Sequence, residues 1–193
     1  MDKAARLLSD YVVKKGVIQK EEWELYCYGF EIALEAAVSF IASILIASVL
    51  HMVLEGILFF AIFIPMRTFA GGLHLDQYWK CFLLSCATFF ITLMSVKITD
   101  IPPMISMVVI LLMMFGIYGM YPVENQNRQV DTEENIHFRK QLIKYLIIDF
   151  GITLGCYFFK KEKALSVIAV TFVMIAVTML IGKCKQRKAE PGF

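Results

Sequence analysis

"ALSVIAVTFVMIAVTMLIG", residues 164–182, runs for 19 positions without a charged side chain. A helix that crosses the hydrocarbon core of a bilayer needs about 20 such residues. "MISMVVILLMMFGIYGMY", residues 104–121, is a second uncharged run. Hydrophobic residues make up 59% of the 193-residue chain, against about 45–50% in soluble domains. These runs make the chain an integral membrane protein, and working outward from them gives the rest of the plan. Four further apolar segments are predicted, at about 32–50, 53–66, 81–98 and 142–159. The fold class is therefore all-α, a polytopic membrane bundle of about six apolar segments. Four to six are true spans. The second is short if it ends at residue 66, and it then runs on through residue 70, tilts or is re-entrant.

Residues 1–31 are charged throughout, which excludes the apolar core of a signal peptide. Leu7, Leu8, Tyr11 and Val12 recur at helical spacing among Lys3, Arg6, Asp10 and Lys14. The segment reads as an amphipathic helix or helix pair, broken near Gly16. It rests on the membrane surface or packs on the protein's own cytoplasmic face. The predicted organisation is an interfacial segment 1–31, a transmembrane domain 32–182 and a basic tail 183–193. Within the domain lie a loop at 66–81 and a polar loop at 122–141.

Positive charge sets the orientation, because Lys and Arg collect on the cytoplasmic side. With six spans and both termini in the cytoplasm, only Lys97, Lys160, Lys161 and Lys163 of the 19 Lys and Arg residues fall outside. That places the 66–81 loop at the cytoplasmic face. The formal net charge of +2 and the lack of a basic, aromatic patch argue against nucleic acid as a partner. The five cysteines, Cys27, Cys81, Cys86, Cys156 and Cys184, are scattered and contain no CxxC, so neither a disulfide framework nor a zinc knuckle is predicted. His51 and Glu55 stand four apart, but two ligands do not make a metal site. No metal and no cofactor are expected.

The chemistry-bearing stretch is "FAGGLHLDQYWKC", residues 69–81. On one straight helix His74 and Cys81 would share a face about 10.5 Å apart along the axis, too far for a hydrogen bond. Gly71-Gly72 permits a break before His74, and Asp76 can cap a helix that begins near Gln77. Cys81 then sits early in that helix with His74 folded back over it. Cysteine reacts as the thiolate, which an imidazolium or a helix N-terminus favours, and a neighbouring base activates it. Asp76, Asp149 and Glu55 are candidates for a third catalytic member, with Glu35 a further acidic residue in an apolar segment. Acidic residues within spans default to a functional hypothesis. Arg67 reads most simply as an interfacial arginine beside the lipid headgroups. A cysteine at the start of a membrane helix is, by itself, more often a small apolar filler.

"RTFAGGLH", residues 67–74, followed by Cys81 resembles the accessory gene regulator protein B family, the membrane cysteine endopeptidases of Gram-positive quorum sensing. The chain length, the charged N-terminal segment and the apolar segments after it are similar too. "YPVENQNRQV", residues 121–130, resembles the family's proline-containing polar loop and departs from it at Gln129. The resemblance implies Cys81 as nucleophile and His74 as base, with Arg67 and Gly72 at positions needed for activity and Gly71 and Asp76 shaping the site. It implies as substrate a propeptide with an amphipathic leader, a cysteine-bearing signal segment and an acidic tail. The tail is cut off through an acyl-thioester enzyme, and the signal closes into a thiolactone. The expected partners are that propeptide, the lipid bilayer and a second copy of the chain in a homodimer. Two rivals remain. One is a small membrane transporter or channel subunit, favoured by Asp149, Glu35 and Glu55 but lacking an internal repeat. The other is an assembly factor without chemistry.

Overall fold

A computed structural model describes residues 2–71, 78–121 and 132–189. Among these residues there are seven α-helices: α1 (Asp2–Lys14), α2 (Trp23–Leu50), α3 (Val53–Ala70), α4 (Tyr78–Ile98), α5 (Pro103–Met120), α6 (Thr132–Phe158) and α7 (Glu162–Ala189). Six of them, α2 to α7, are long and apolar enough to cross a membrane. The second apolar segment does not stop at residue 66. It continues to Ala70, and 18 residues rise about 27 Å, enough to span. The first, expected from residue 32, begins at Trp23, so residues 23–31 belong to the same helix as the apolar run. The fifth starts at Thr132, ten residues ahead of its apolar part. Each added stretch carries charged residues, Glu24 and Glu31 in α2, Arg67 in α3 and Glu133, Glu134, Arg139 and Lys140 in α6, and these interrupt the apolar run before the helix ends.

The chain forms two compact units, residues 1–46 and 47–193. In the first, α1 is amphipathic, with Ala5 and Ser9 buried and Leu7 and Tyr11 exposed. Gly16 ends it at φ +70°, where Gly16 N–H donates to Val13 O and Val17 N–H to Val12 O. This pair of bonds is the Schellman stop, which favours glycine. A 3₁₀ turn at Lys20–Glu22 follows, with Glu22 accepting from the Gln19 backbone N–H at 3.1 Å. The Trp23 indole N–H then donates to Asp10 at 2.8 Å and ties α1 to the start of α2.

The second unit is built around α7. Leu165, Ile168, Ala169, Phe172, Ile175, Ala176 and Met179 are all buried, and α3, α4, α5 and α6 all pack against this helix. A helix that is apolar all round belongs in the middle of a bundle, and Ala169 and Ala176 let neighbours come close. Ile62, Met66 and Ala70 of α3, Ile110 and Ile117 of α5, and Leu142 and Leu146 of α6 complete the core. Gly56 of α3 is a point of close approach. A Cβ there would meet Phe89 at 3.0 Å and Ala47 at 3.3 Å. Three buried threonine hydroxyls are satisfied along their own helices: Thr153 donates to Asp149 O, Thr171 to Val167 O and Thr92 to Thr88 O. In lipid no water can do this instead.

The four lysines that break the positive-inside pattern have local roles at one end of this unit. Lys97 donates to Leu50 O at 3.1 Å, at the C-terminus of α2. Lys163 pairs with Glu55 at 3.6 Å. Lys160 and Lys161 form the stop of α6, with Lys160 N–H on Tyr157 O and Lys161 N–H on Cys156 O. Cations are favourable beside helix C-termini, which suits Lys97, Lys160 and Lys161, while Lys163, in the first turn of α7, is held by its carboxylate partner. His51 stops α2 in the same way, with φ 56° and its N–H on Ser48 O. Lys160 holds φ 53°, a left-handed conformation that costs a side-chain-bearing residue about 1–2 kcal/mol. Lys160→Gly is expected to stabilise the protein by about 0.5–1 kcal/mol, read as a higher melting temperature in detergent. A lower one would mean that the lysine side chain holds the turn by another contact.

Candidate active site

The candidate site lies at the last turn of α3 and the first turn of α4. Pro65 lies inside α3, where it removes one backbone N–H and crowds the carbonyl of Ala61. The turn after it carries Met66 and Ala70, both fully buried against the core, and Arg67 beside them. Phe69 fastens this turn to α6. Its ring stacks on Tyr145 with centroids 5.3 Å apart and tilts against Phe138 at 5.8 Å. Gly71 then redirects the chain at φ 81°, ψ −157°. That region of backbone space is essentially open to glycine alone.

The chain is described again from Tyr78, where α4 begins. Cys81 is the fourth residue of the helix and half-buried. Its sulfur lies in the first turn, where unpaired N–H groups and the positive end of the helix dipole favour negative charge. Arg67, expected at the headgroups, is folded inward instead. Its Nη1 is buried, and it lies within electrostatic reach of Cys81. Around the cysteine Tyr78 stacks on Phe82 at 5.9 Å, and Trp79 meets Phe82 edge-on at 6.0 Å. Trp79 is exposed, as befits an aromatic at a membrane interface.

The structure thus brings Arg67 within electrostatic reach of Cys81, with Gly71 at the end of the helix that carries Arg67. Gly72, His74 and Asp76 lie outside the described residues, as do residues 122–131 of the polar loop and the end of the tail. Glu55 is not brought to Cys81. Glu55 lies 12 residues before Arg67 on α3, about 18 Å away along the axis, and is paired with Lys163. Asp149 lies four residues beyond Tyr145 on α6, about 6 Å along the axis. Asp149 is buried, and its Oδ2 has no hydrogen-bond partner among the described residues. Cys86 lies one and a half turns deeper on α4, about 140° round from Cys81. No cluster of His, Cys, Asp and Glu suited to a metal ion occurs among the described residues.

Sequence reading missed Phe69, Phe138 and Tyr145, which hold the α3 turn in place. Phe69 stands inside the glycine-bearing stretch, but nothing in the sequence pairs it with residues on α6. The family model described as Accessory gene regulator B matches residues 5–180 of the chain. No curated protein and no solved structure matches it.

Proposed function

The chain belongs to the accessory gene regulator B family, and from that premise we propose that it is a membrane-embedded cysteine endopeptidase that trims and cyclises a signalling propeptide. The observation that carries the reading is the placement of Cys81 in the first turn of α4 with Arg67 in electrostatic reach. A filler cysteine has no use for a cation or a helix N-terminus.

In this mechanism the Cys81 thiolate attacks the carbonyl carbon that joins signal to tail. The C–N bond breaks, the new amine takes its proton from the imidazolium of His74, and a thioester to Cys81 remains. The thiol of the peptide's own cysteine gives its proton back to His74 and attacks that thioester. The bond to Cys81 breaks, its sulfur leaves as thiolate, and the thiolactone closes. One thioester is exchanged for another, so the second step is nearly balanced in energy. Six residues separate Gly71 from Tyr78 in the sequence, and His74 is one of them. Arg67 stabilises the sulfur anion or engages a carboxylate of the acidic tail. Co-expression with a cysteine-bearing propeptide, followed by mass spectrometry, should give a signal peptide without its tail and lighter than the linear form by one water. Recovery of only uncut propeptide beside folded protein would defeat the proposal.

The orientation we propose puts both termini and the site end in the cytoplasm. Arg67, Lys80, Arg139, Lys140 and Lys183 lie on helix ends that meet there. A membrane-impermeant thiol label should reach a cysteine introduced at position 186 from the cytoplasmic side and one at 161 from outside. Labelling of position 161 from the cytoplasm would overturn the six-span topology.

A further inference from the structure

Between α5 and α6 the second unit carries an apolar groove of about 510 Å³, walled by Leu111, Met114, Phe115, Tyr118, Ile143 and Ile147 among others. Leu111, Phe115, Ile143 and Ile147 are exposed, so the groove opens outward from the bundle. Its walls run from residue 111 to 118 on one helix and from 143 to 150 on the other. Seven residues rise about 10.5 Å, which fits within one leaflet, about 15 Å deep. At its end nearest the polar loop the groove closes on Tyr118 and Arg139. The guanidinium donates to Tyr118 Oη at 2.8 Å and lies over the ring at 5.4 Å. Arg139 and Lys140 continue the stripe of α6 that holds Ile143 and Ile147, one turn nearer the helix end, and both are exposed. Neither is paired with a carboxylate among the described residues.

We infer that this groove is a binding site for one anionic phospholipid, with an acyl chain along α5 and α6 and the phosphate against Arg139 and Lys140. Three features select this occupant. The apolar length matches one leaflet, whereas a helix from a second copy would need a face that runs the full thickness of the membrane. The cationic end opposes a positively charged peptide and suits a phosphate, which takes the flat fork of arginine in two hydrogen bonds. The Tyr118 ring holds that fork at the rim, so the guanidinium is ordered before a lipid arrives and less freedom is lost on binding. The site adds a lipid-composition dependence to a protein whose proposed chemistry lies elsewhere, on α3 and α4.

The full-length protein is reconstituted in vesicles of phosphatidylglycerol and phosphatidylcholine in equal parts, extracted in mild detergent and weighed intact by native mass spectrometry. Wild type is expected to retain one phosphatidylglycerol in preference to phosphatidylcholine. Arg139→Gln with Lys140→Gln should reduce that preference by about 25-fold, at about a factor of five for each basic residue beside an anionic headgroup. Lys160→Gln, which removes one charge at the other end, should keep it. Leu111→Trp, which fills the groove from an exposed position, should abolish retention of either lipid. Helical circular dichroism and a single peak on size exclusion confirm that each variant is folded. Equal retention of the two lipids by wild type, or an unchanged preference in the double variant, overturns the proposal. So does a Leu111→Trp protein that loses a dimer while its lipid stays bound, since the groove then seats a second copy.

Discussion

Cys81→Ser is expected to abolish propeptide cleavage, by at least about 1,000-fold as for other removed nucleophiles, while the protein remains inserted and folded. The substitution exchanges sulfur for oxygen at a half-buried position, so little packing is lost. What disappears is the nucleophile. A serine hydroxyl does not ionise under the influence of a helix N-terminus and one arginine, and only the thiolate suits the two thioester steps. Cys86→Ser is the matching control, because that residue points about 140° away and lies deeper in the span. Mass spectrometry of co-expressed propeptide reads both. Undiminished cleavage by the Cys81→Ser protein would remove the peptidase assignment altogether.

Gly71→Ala is expected to lower cleavage by about 10- to 100-fold without removing any reacting group. At φ 81°, ψ −157° a Cβ costs on the order of 1–3 kcal/mol, and the chain can relieve that only by leaving α3 in another direction. The chain would then leave Gly71 on a different course into the stretch that contains His74. Gly151→Ala is the control: it sits in α6 with nothing within 4 Å of the new Cβ, and alanine is the better helix former. It should keep activity and gain a little stability. The two variants are compared by cleavage rate and by reaction of Cys81 with a small thiol reagent. Full cleavage by Gly71→Ala would show that the glycine conformation plays no part in assembling the site.

The spans were legible because a bilayer imposes a length and a polarity that the sequence must repeat six times. What was not legible lies where that demand ends. Trp23–Glu31 and Thr132–Gln141 continue their helices beyond the uncharged runs, where two glutamates in the first and a cluster of charges in the second interrupt the pattern that hydropathy reads. At the site, the glycine pair and the early position of Cys81 could be read from spacing alone. The inward fold of Arg67 could not, since an arginine near a span end ordinarily snorkels to the headgroups. It is set by Met66 and Ala70 turning into the core and by Phe69 locking on Tyr145, contacts that join distant parts of the chain. Glu55 reads in sequence as an acid stranded in the membrane. Its partner Lys163 comes from another helix, and the pair belongs to the end of the bundle away from Cys81.

The central place of α7 has a consequence for how the protein is made. Ribosomes deliver α3, α4, α5 and α6 to the membrane before α7 exists, and each arrives with a face meant for a helix not yet translated. Until residues 162–182 emerge, Ile62, Ile110, Ile117, Leu142 and Leu146 lack the helix at the centre of their packing. Insertion of single helices and their later side-by-side association are thus separated in time, and the second stage waits on one late segment. Messages cut short before codon 162 would yield chains that thread the bilayer but never close, and the membrane's quality-control proteases would meet them as loose helices.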